Sequence, residues 1–238
     1  MIKEALEYLV SLKGNNTYAI GGDTYSDNAL HRIAPFIPRP EKINVTGLDS
    51  IVALIHAEID KARAKPIFVQ VDGPTGVSVF TTYDDQMERD ILYRAVCDVP
   101  GVKLGYMDYE SFIIALRSKF IPNDDVSYLL DLLSRINKEN GVTTSDNGIT
   151  QTVEARSGVS LKQTVTIKPR VTLAPYRTFL EVEQPESEFV LRLNGDGDIG
   201  LFEADGGMWK LAAKKNIAEY FAEELSAYIK LGEVVIMK

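Results

Sequence analysis

The chain has 238 residues, 45% of them apolar and 25% charged, enough to bury a real core in one large domain or two small ones. Its formal net charge of −8 disfavours a general polyanion binder but leaves room for a local basic groove or an acidic surface that docks on a basic partner. The single cysteine, Cys97, excludes an intrachain disulfide and fits a reducing cytoplasm.

No run of about 18 apolar residues is present to span a membrane. The first segment, residues 2–13, sets Ile2, Leu6, Leu9 and Val10 on one side of an amphipathic helix. Glu4 and Glu7 interrupt it, so it does not read as a secretion signal. The sequons at Asn15 and Asn44 are therefore read as chance matches. Residues 14–46 are broken by Gly14, Gly21, Gly22, Pro35, Pro38 and Pro40, which suggests an irregular arm with one short strand at residues 18–20.

Thr46 is placed to cap a helix over residues 48–64, with Leu48, Ile51, Val52, Ile55 and Ile59 as its apolar stripe. The period then changes from helical to alternating. Ile67, Val69 and Val71 open a strand, Asp72-Gly73-Pro74-Thr75-Gly76 turns it, and residues 77–83 and 90–96 complete an antiparallel meander. Asp108 can cap a helix that buries Phe112, Ile113, Leu116 and Phe120. Beyond Pro122, a second helix carries Val126, Leu129, Leu130, Leu133 and Ile136 at helical spacing, with Asn140-Gly141 as its stop.

Residues 142–209 read almost entirely as strand, with a tight turn at Asn194-Gly195-Asp196-Gly197. A closing helix over residues 214–229 points Ile217, Phe221, Leu225 and Tyr228 inward, and residues 234–237 can add an edge strand. The expected fold is α+β, with mainly antiparallel sheets, an amphipathic helix pair in the middle and a closing C-terminal helix. Residues 1–46 form the N-terminal helix and arm. Residues 47–238 form a single body with two lobes, 47–140 and 141–238.

Several patterns carry chemistry only on first sight. Gly195, Gly197 and Gly200 match a dinucleotide fingerprint, but strand rather than helix follows, and Asp196 and Asp198 would face the phosphates. Asn194, Asp196, Asp198 and Asp205 imitate a calcium loop, but Ile199 stands where its turn glycine belongs. Asp84-Asp85 and Asp124-Asp125 read as a strand turn and a helix start. His31 and His56 have no ligand-spaced partner, so no metal site is expected, and Cys97 could meet either only through folding. Neither a nucleophile elbow nor a phosphate-binding loop is present. No cofactor and no catalytic residue are assigned.

Two surfaces remain. Arg156, Lys162, Lys168 and Arg170, with Tyr176 and Arg177, are the candidate for single-stranded nucleic acid, although strand-borne cations also guard sheet edges. Residues 175–210 are acidic, with Glu181, Glu183, Glu186, Glu188, Asp196, Asp198, Glu203 and Asp205 against Arg177 and Arg192, and they hold the only tryptophan, Trp209.

Within that segment, Tyr176-Arg177-Thr178-Phe179, Glu181-Val182-Glu183-Gln184-Pro185 and Phe202-Glu203-Ala204-Asp205-Gly206-Gly207, followed by Trp209-Lys210-Leu211, resemble the YfdQ-like family of tailed-phage and prophage proteins of unknown function. The order of elements from about residue 47 to residue 225 is similar as well. The resemblance implies a phage-encoded, non-structural accessory protein acting in the bacterial host cytoplasm, and it supplies no catalytic residues.

The leading expectation is a binding protein that engages a host or anti-phage defence protein, or sequesters a small nucleotide-like ligand. Tyr176, Arg177, Glu181, Glu183, Glu203, Asp205 and Trp209 are its expected surface. Arg177 would meet a phosphate or carboxylate, and the aromatics would anchor the contact. A nucleic-acid accessory protein of phage replication or recombination is the alternative. A metal-dependent hydrolase using Asp196, Asp198 and Asp205 is a third reading. The strand edges also allow a homo-oligomer.

Overall fold

The computed structural model describes residues 2–11, 14, 16–27, 32–33, 38–136, 142–146, 151–157 and 161–238. His31, Asn140 and Gly141 lie outside these residues. The chain divides into two units, Met1–Pro40 and Glu41–Lys238.

The first unit contains helix α1 (Ile2–Ser11) and strands β1 (Thr17–Ile20), β2 (Asp23–Ser26) and β3 (Arg32–Ile33). Gly21 and Gly22 have φ of 61° and 91°, and they join β1 to β2 through a two-residue turn that L-residues with side chains resist. One expected strand thus becomes an antiparallel three-stranded sheet, β1-β2-β3. Its strands are too short to show an alternation, and β1 is exposed along its whole length.

In the second unit the chain enters through β4 (Ile43–Val45) and helix α2 (Leu48–Glu58), which ends in a 3-10 turn at Ile59–Lys61. Strands β5 (Ile67–Gly73), β6 (Gly76–Thr81) and β7 (Ile91–Val96) form the expected antiparallel meander. β8 (Gly105–Met107) precedes the helix pair α3 (Tyr109–Lys119) and α4 (Asp124–Ile136). The strands β9 (Val142–Asp146), β10 (Gln151–Ser157), β11 (Leu161–Ile167), β12 (Arg170–Leu173), β13 (Ser187–Leu193) and β14 (Ile199–Glu203) follow. Helices α5 (Trp209–Glu224) and α6 (Ser226–Lys230) and strand β15 (Val234–Met237) close the chain. The protein is α+β with predominantly antiparallel sheets.

The unit holds two apolar cores. In one, α2 and α5 cover a face of the five-stranded sheet β15-β5-β6-β7-β4. Ile67, Val69 and Val71 of β5 point to these helices, while Phe68 and Gln70 take the other face, as period-2 geometry requires. Leu48, Ile51, Val52 and Ile55 answer from α2, and Ile217, Ala218 and Phe221 from α5. β4 and β15 run parallel to their neighbours, so this sheet is mixed. A three-residue strand such as β4 carries no readable period, and β7 alone defines it.

In the other core, α3 and α4 pack on the antiparallel sheet β12-β13-β14-β8. The Asp108 carboxylate accepts the Ser111 N–H at 2.9 Å and starts α3 as expected. α4 starts differently. Asn123 accepts the Val126 N–H at 2.8 Å, while Asp125 turns to β12, accepting the Thr172 N–H at 2.7 Å and Lys168 Nζ at 3.0 Å. Burial pushes Asp125 up, but those donors outweigh it and hold the carboxyl below its ordinary range. β9, β10 and β11 make a separate antiparallel sheet.

The Gly195–Gly200 motif is the β13–β14 hairpin. Asn194 Oδ1 accepts the Asp196 and Asp198 N–H groups at 3.0 and 2.9 Å, and its amide donates to Asp198 Oδ2 at 3.1 Å. Gly200 lies under Tyr106 and Phe202, where a Cβ would come within 2.7 Å of both rings.

Candidate functional site

Residues 174–186 leave β12, contribute Phe179 to the core beneath the five-stranded sheet, and return to β13. The first of these residues bridge to the end of α3, where Pro175 pairs with Phe120; beyond that bridge no strand lies alongside, and a side chain satisfies much of the backbone. Gln184, 4% exposed, does this. Its Oε1 accepts the Arg177 and Thr178 N–H groups at 3.0 and 3.1 Å, and its Nε2 donates to the Phe179 carbonyl at 2.8 Å. The Thr178 hydroxyl reaches the Pro74 carbonyl in the β5–β6 turn.

On this frame Arg177 forms a clasp. Its Nη1 donates to Glu203 Oε1 at 2.7 Å, and its Nη2 donates to the Pro185 carbonyl at 3.1 Å and to Ser187 Oγ. Ser187 donates in turn to Asp205 Oδ2 at 2.7 Å. Asp205 also accepts the N–H groups of Gly207 at 2.9 Å and Trp209 at 3.1 Å, fixing the entry to α5. The guanidinium carbon lies 4.0 Å from the centroid of the Trp209 ring. Burial pulls Arg177 down more than Glu203 and Asp205 raise it. For Asp205, burial pushes upward, but Ser187, the two N–H groups and Arg177 hold it below the ordinary carboxylate range.

The expected binding residues therefore separate into groups. Arg177, Glu203, Asp205 and Trp209 meet, but inward, and the Arg177 side chain is only 12% exposed. The guanidinium expected to meet a phosphate or carboxylate of a partner is here engaged with the chain's own Glu203 carboxylate. Tyr176 is half-buried and donates its N–H to the Lys119 carbonyl at 2.9 Å. Glu183 is exposed, and its carbonyl accepts Asn216 Nδ2 at 3.0 Å. Glu181 belongs to a different place.

That place is a cleft of about 410 Å³ at the start of α2, lined by Thr46, Gly47, Asp49, Cys97, Asp98, Val99, Phe179, Leu180 and Glu181. Thr46 does not cap the helix. Gly47 is the N-cap residue and supplies no side-chain bond, and Glu181 Oε1 accepts the Leu48 N–H at 2.7 Å instead. A carboxylate is well placed there, because the first N–H groups of a helix are unpaired and carry partial positive charge. Gly47 is what lets it in: a Cβ would lie 2.7 Å from Glu181 Oε1 and 2.5 Å from Asp49 Oδ1.

Asp49, Asp98 and Glu181 thus border one concavity that no lysine or arginine lines. Among the described residues none of the three forms a salt bridge. The negative field reaches beyond the rim. Burial, with help from Glu181 and Asp98, pushes the Cys97 thiol up to about 11, so it is protonated at neutral pH. Burial and the Glu224, Glu181 and Asp49 carboxylates also raise Tyr220 on α5. The cleft thus has an apolar floor at Phe179, an acidic rim and no poised nucleophile.

The remaining candidates have local roles. Asp84 accepts the Gln86 and Glu88 N–H groups, each at 2.9 Å, and pairs with Arg63. His56 Nδ1 lies 3.1 Å from the Tyr228 hydroxyl. Arg170 pairs with Glu188, and Lys168 with Asp125. Arg156 and Lys162 are opposite one another in the β10–β11 register; their side chains lie outside the described residues. Among the described residues, no group of three or more His, Cys, Asp or Glu side chains is gathered as a metal site. No described helix is long and apolar enough to cross a membrane.

Sequence reasoning missed Gln184, Ser187 and the cleft wall formed by Asp49 and Asp98. Gln184 sits in an acidic run and gives no signal of burial. Gly47, directly before an apolar-periodic helix, was the one available hint, and Thr46 beside it offered a competing cap. Comparison with known proteins finds no matching family model, curated protein or solved structure.

Proposed function

We propose that this protein works by binding rather than catalysis. It acts as a phage-encoded accessory factor in the host cytoplasm whose acidic cleft holds a basic segment of a host or anti-phage defence protein. The observation that carries this reading is the cleft at α2, where Asp49, Asp98 and Glu181 face a concavity without a cation of their own. A lysine or arginine side chain of a partner supplies that cation, and its aliphatic stem packs on Phe179 and Leu180. The resemblance of residues 176–211 to the YfdQ-like family supports the phage setting. A phosphate-bearing ligand fits less well, because Arg177 is engaged inside its clasp and the cleft is negative.

The test uses wild-type protein and an Asp49→Lys/Asp98→Lys variant as baits in host lysate, with captured proteins identified by mass spectrometry. A basic protein retained by the wild type, lost from the variant and eluted by moderate salt is the expected result. Equal capture by both baits, with the variant still folded by circular dichroism, would remove the cleft from the account. A salt-sensitive shift of single-stranded oligonucleotides would instead favour the nucleic-acid reading.

A further inference from the structure

The acidic cleft at α2 has a counterpart of opposite sign. A second cavity, of about 330 Å³, lies where β8 runs into α3, and its volume falls within the range of small-molecule sites. Two lysines line it, Lys103 and Lys119. Lys65, Lys168 and Lys215 each pair with a carboxylate, but neither lysine of this cavity does so among the described residues. Lys103 is exposed and has no hydrogen-bond or ion-pair partner there. Lys119 is half-buried, and its Nζ donates to the Gly101 carbonyl at 2.9 Å. An ammonium has three donors, so this one bond leaves Lys119 able to hold an anion as well.

Among the described residues lining the cavity, the one acid is Asp108. It is engaged at the first turn of α3, where the helix N-terminus offsets its charge and its Oδ1 accepts the Ser111 N–H at 2.9 Å. The Ser111 hydroxyl and N–H together hold the Asp108 carboxyl below its ordinary range. The rest of the lining is largely apolar. Met107 and Ala115 belong to the core between α3 and the four-stranded sheet, and Ile114, next in the chain to Ala115, is 57% exposed. Tyr106 completes it, and its ring is held in place. It meets Phe202 edge-on, with centroids 5.4 Å apart at 78°, in room that exists because residue 200 is glycine.

We infer that this cavity binds a small organic anion, a carboxylate carried on an aromatic or short aliphatic body. The Lys103 and Lys119 ammonium groups hold the carboxylate, and the body packs on Met107, Ile114 and Ala115. Each half of the ligand answers one feature of the site. The described chain provides these two cations with no carboxylate, and it leaves Ile114 largely uncovered. Asp108 decides between anions: it repels a doubly charged phosphate monoester more than a singly charged carboxylate. The α2 cleft recognises the opposite charge, so the two sites take different ligands and neither assignment rests on the other.

Titration of the full chain with phenylacetate, followed by heteronuclear NMR of the backbone amides, tests this. Saturable shifts within residues 103–119 are expected, with a Kd of about 1 mM or tighter for a ligand of this size. Benzyl alcohol lacks the charge and acetate lacks the body, and each should bind at least about tenfold more weakly. Lys103→Gln and Lys119→Met should each weaken phenylacetate at least about threefold. Circular dichroism checks the fold of both. Lys103 is exposed, so Lys103→Gln decides the matter even if Lys119→Met disturbs the contact with Gly101. The inference is overturned by the absence of saturable shifts in these residues up to about 20 mM phenylacetate. Benzyl alcohol bound as tightly as phenylacetate, or unchanged affinity in folded Lys103→Gln, overturns it equally.

Discussion

The Arg177 clasp and the α2 cleft belong to one continuous segment, and they treat charge in opposite ways. In the clasp a guanidinium, two carboxylates, a hydroxyl and an indole face one another, and the Arg177 side chain is 12% exposed. In the cleft three carboxylates line a concavity with no lysine or arginine; Glu181 accepts the Leu48 N–H and Asp49 the Ser50 N–H of α2. Charges that satisfy one another inside the chain fix its architecture. Charges left without a counter-ion at a concave surface are available to something outside it. The difference teaches that the most feature-rich residues of a sequence need not be the ones that meet a partner.

Arg177→Ala should break the clasp most severely. Removing one member of a largely buried ion pair leaves Glu203, the Pro185 carbonyl and Ser187 Oγ without their guanidinium donor, a loss of about 3 kcal/mol. Urea unfolding measures it, and the lone Trp209 reports it directly through a red-shifted emission as its cation is lost. A change below about 0.5 kcal/mol, the range of an ordinary surface substitution, would show that the clasp contributes little.

Gly47→Ala should come next, at about 1–2 kcal/mol, because its Cβ has to push Glu181 and Asp49 away from the first turn of α2. Pairing it with Glu181→Gln sharpens the assignment. If the carboxylate is what the Cβ displaces, the two losses should not add. Simple additivity would place the strain elsewhere.

The pH response separates the two regions further. Asp205 and Asp125 bind a proton more weakly when folded than unfolded aspartate does, whose pKa is about 3.9. The unfolded chain takes up more protons on acidification. Their contribution to stability is therefore complete above that value and lost as pH falls through the lower folded pKa. Urea midpoints should fall between about pH 5 and about pH 2, and Asp205→Asn should lessen the fall. A midpoint that is flat over this range contradicts the clasp's electrostatic role.

The smallest structural effect belongs to the cleft. Asp98→Asn should change stability by less than about 0.5 kcal/mol while weakening partner capture. Cys97, with its thiol pushed up to about 11, should react with iodoacetamide at pH 8 about a hundredfold more slowly than a free cysteine. Labelling at the free-thiol rate would mean that the local field is weaker than the geometry implies.

Much of the fold was legible because local periods agreed with tertiary burial. Ile67, Val69 and Val71 alternate in sequence and in the sheet, and Asp108 caps α3 where the pattern places it. The reading failed where the deciding partner is remote. β4 is defined by β7, the α2 cap comes from Glu181 instead of Thr46, and α4 is capped by Asn123 instead of its acidic pair. The candidate site was half legible. Arg177, Glu203, Asp205 and Trp209 do converge, but the sequence could not say that they face inward, because burial of a charge depends on which partners folding brings to it.

By itself the sequence determined the α+β class, the hairpin at Asn194 and the absence of a fingerprint helix after Gly200. Each rests on residues close together in the chain, where backbone preference and side-chain period act directly. Only the tertiary structure decided that Arg177 is architecture and that Asp49, Asp98 and Glu181 share a cleft. Those outcomes depend on contacts between distant segments, and hydrogen-bond geometry and desolvation act only once those segments meet.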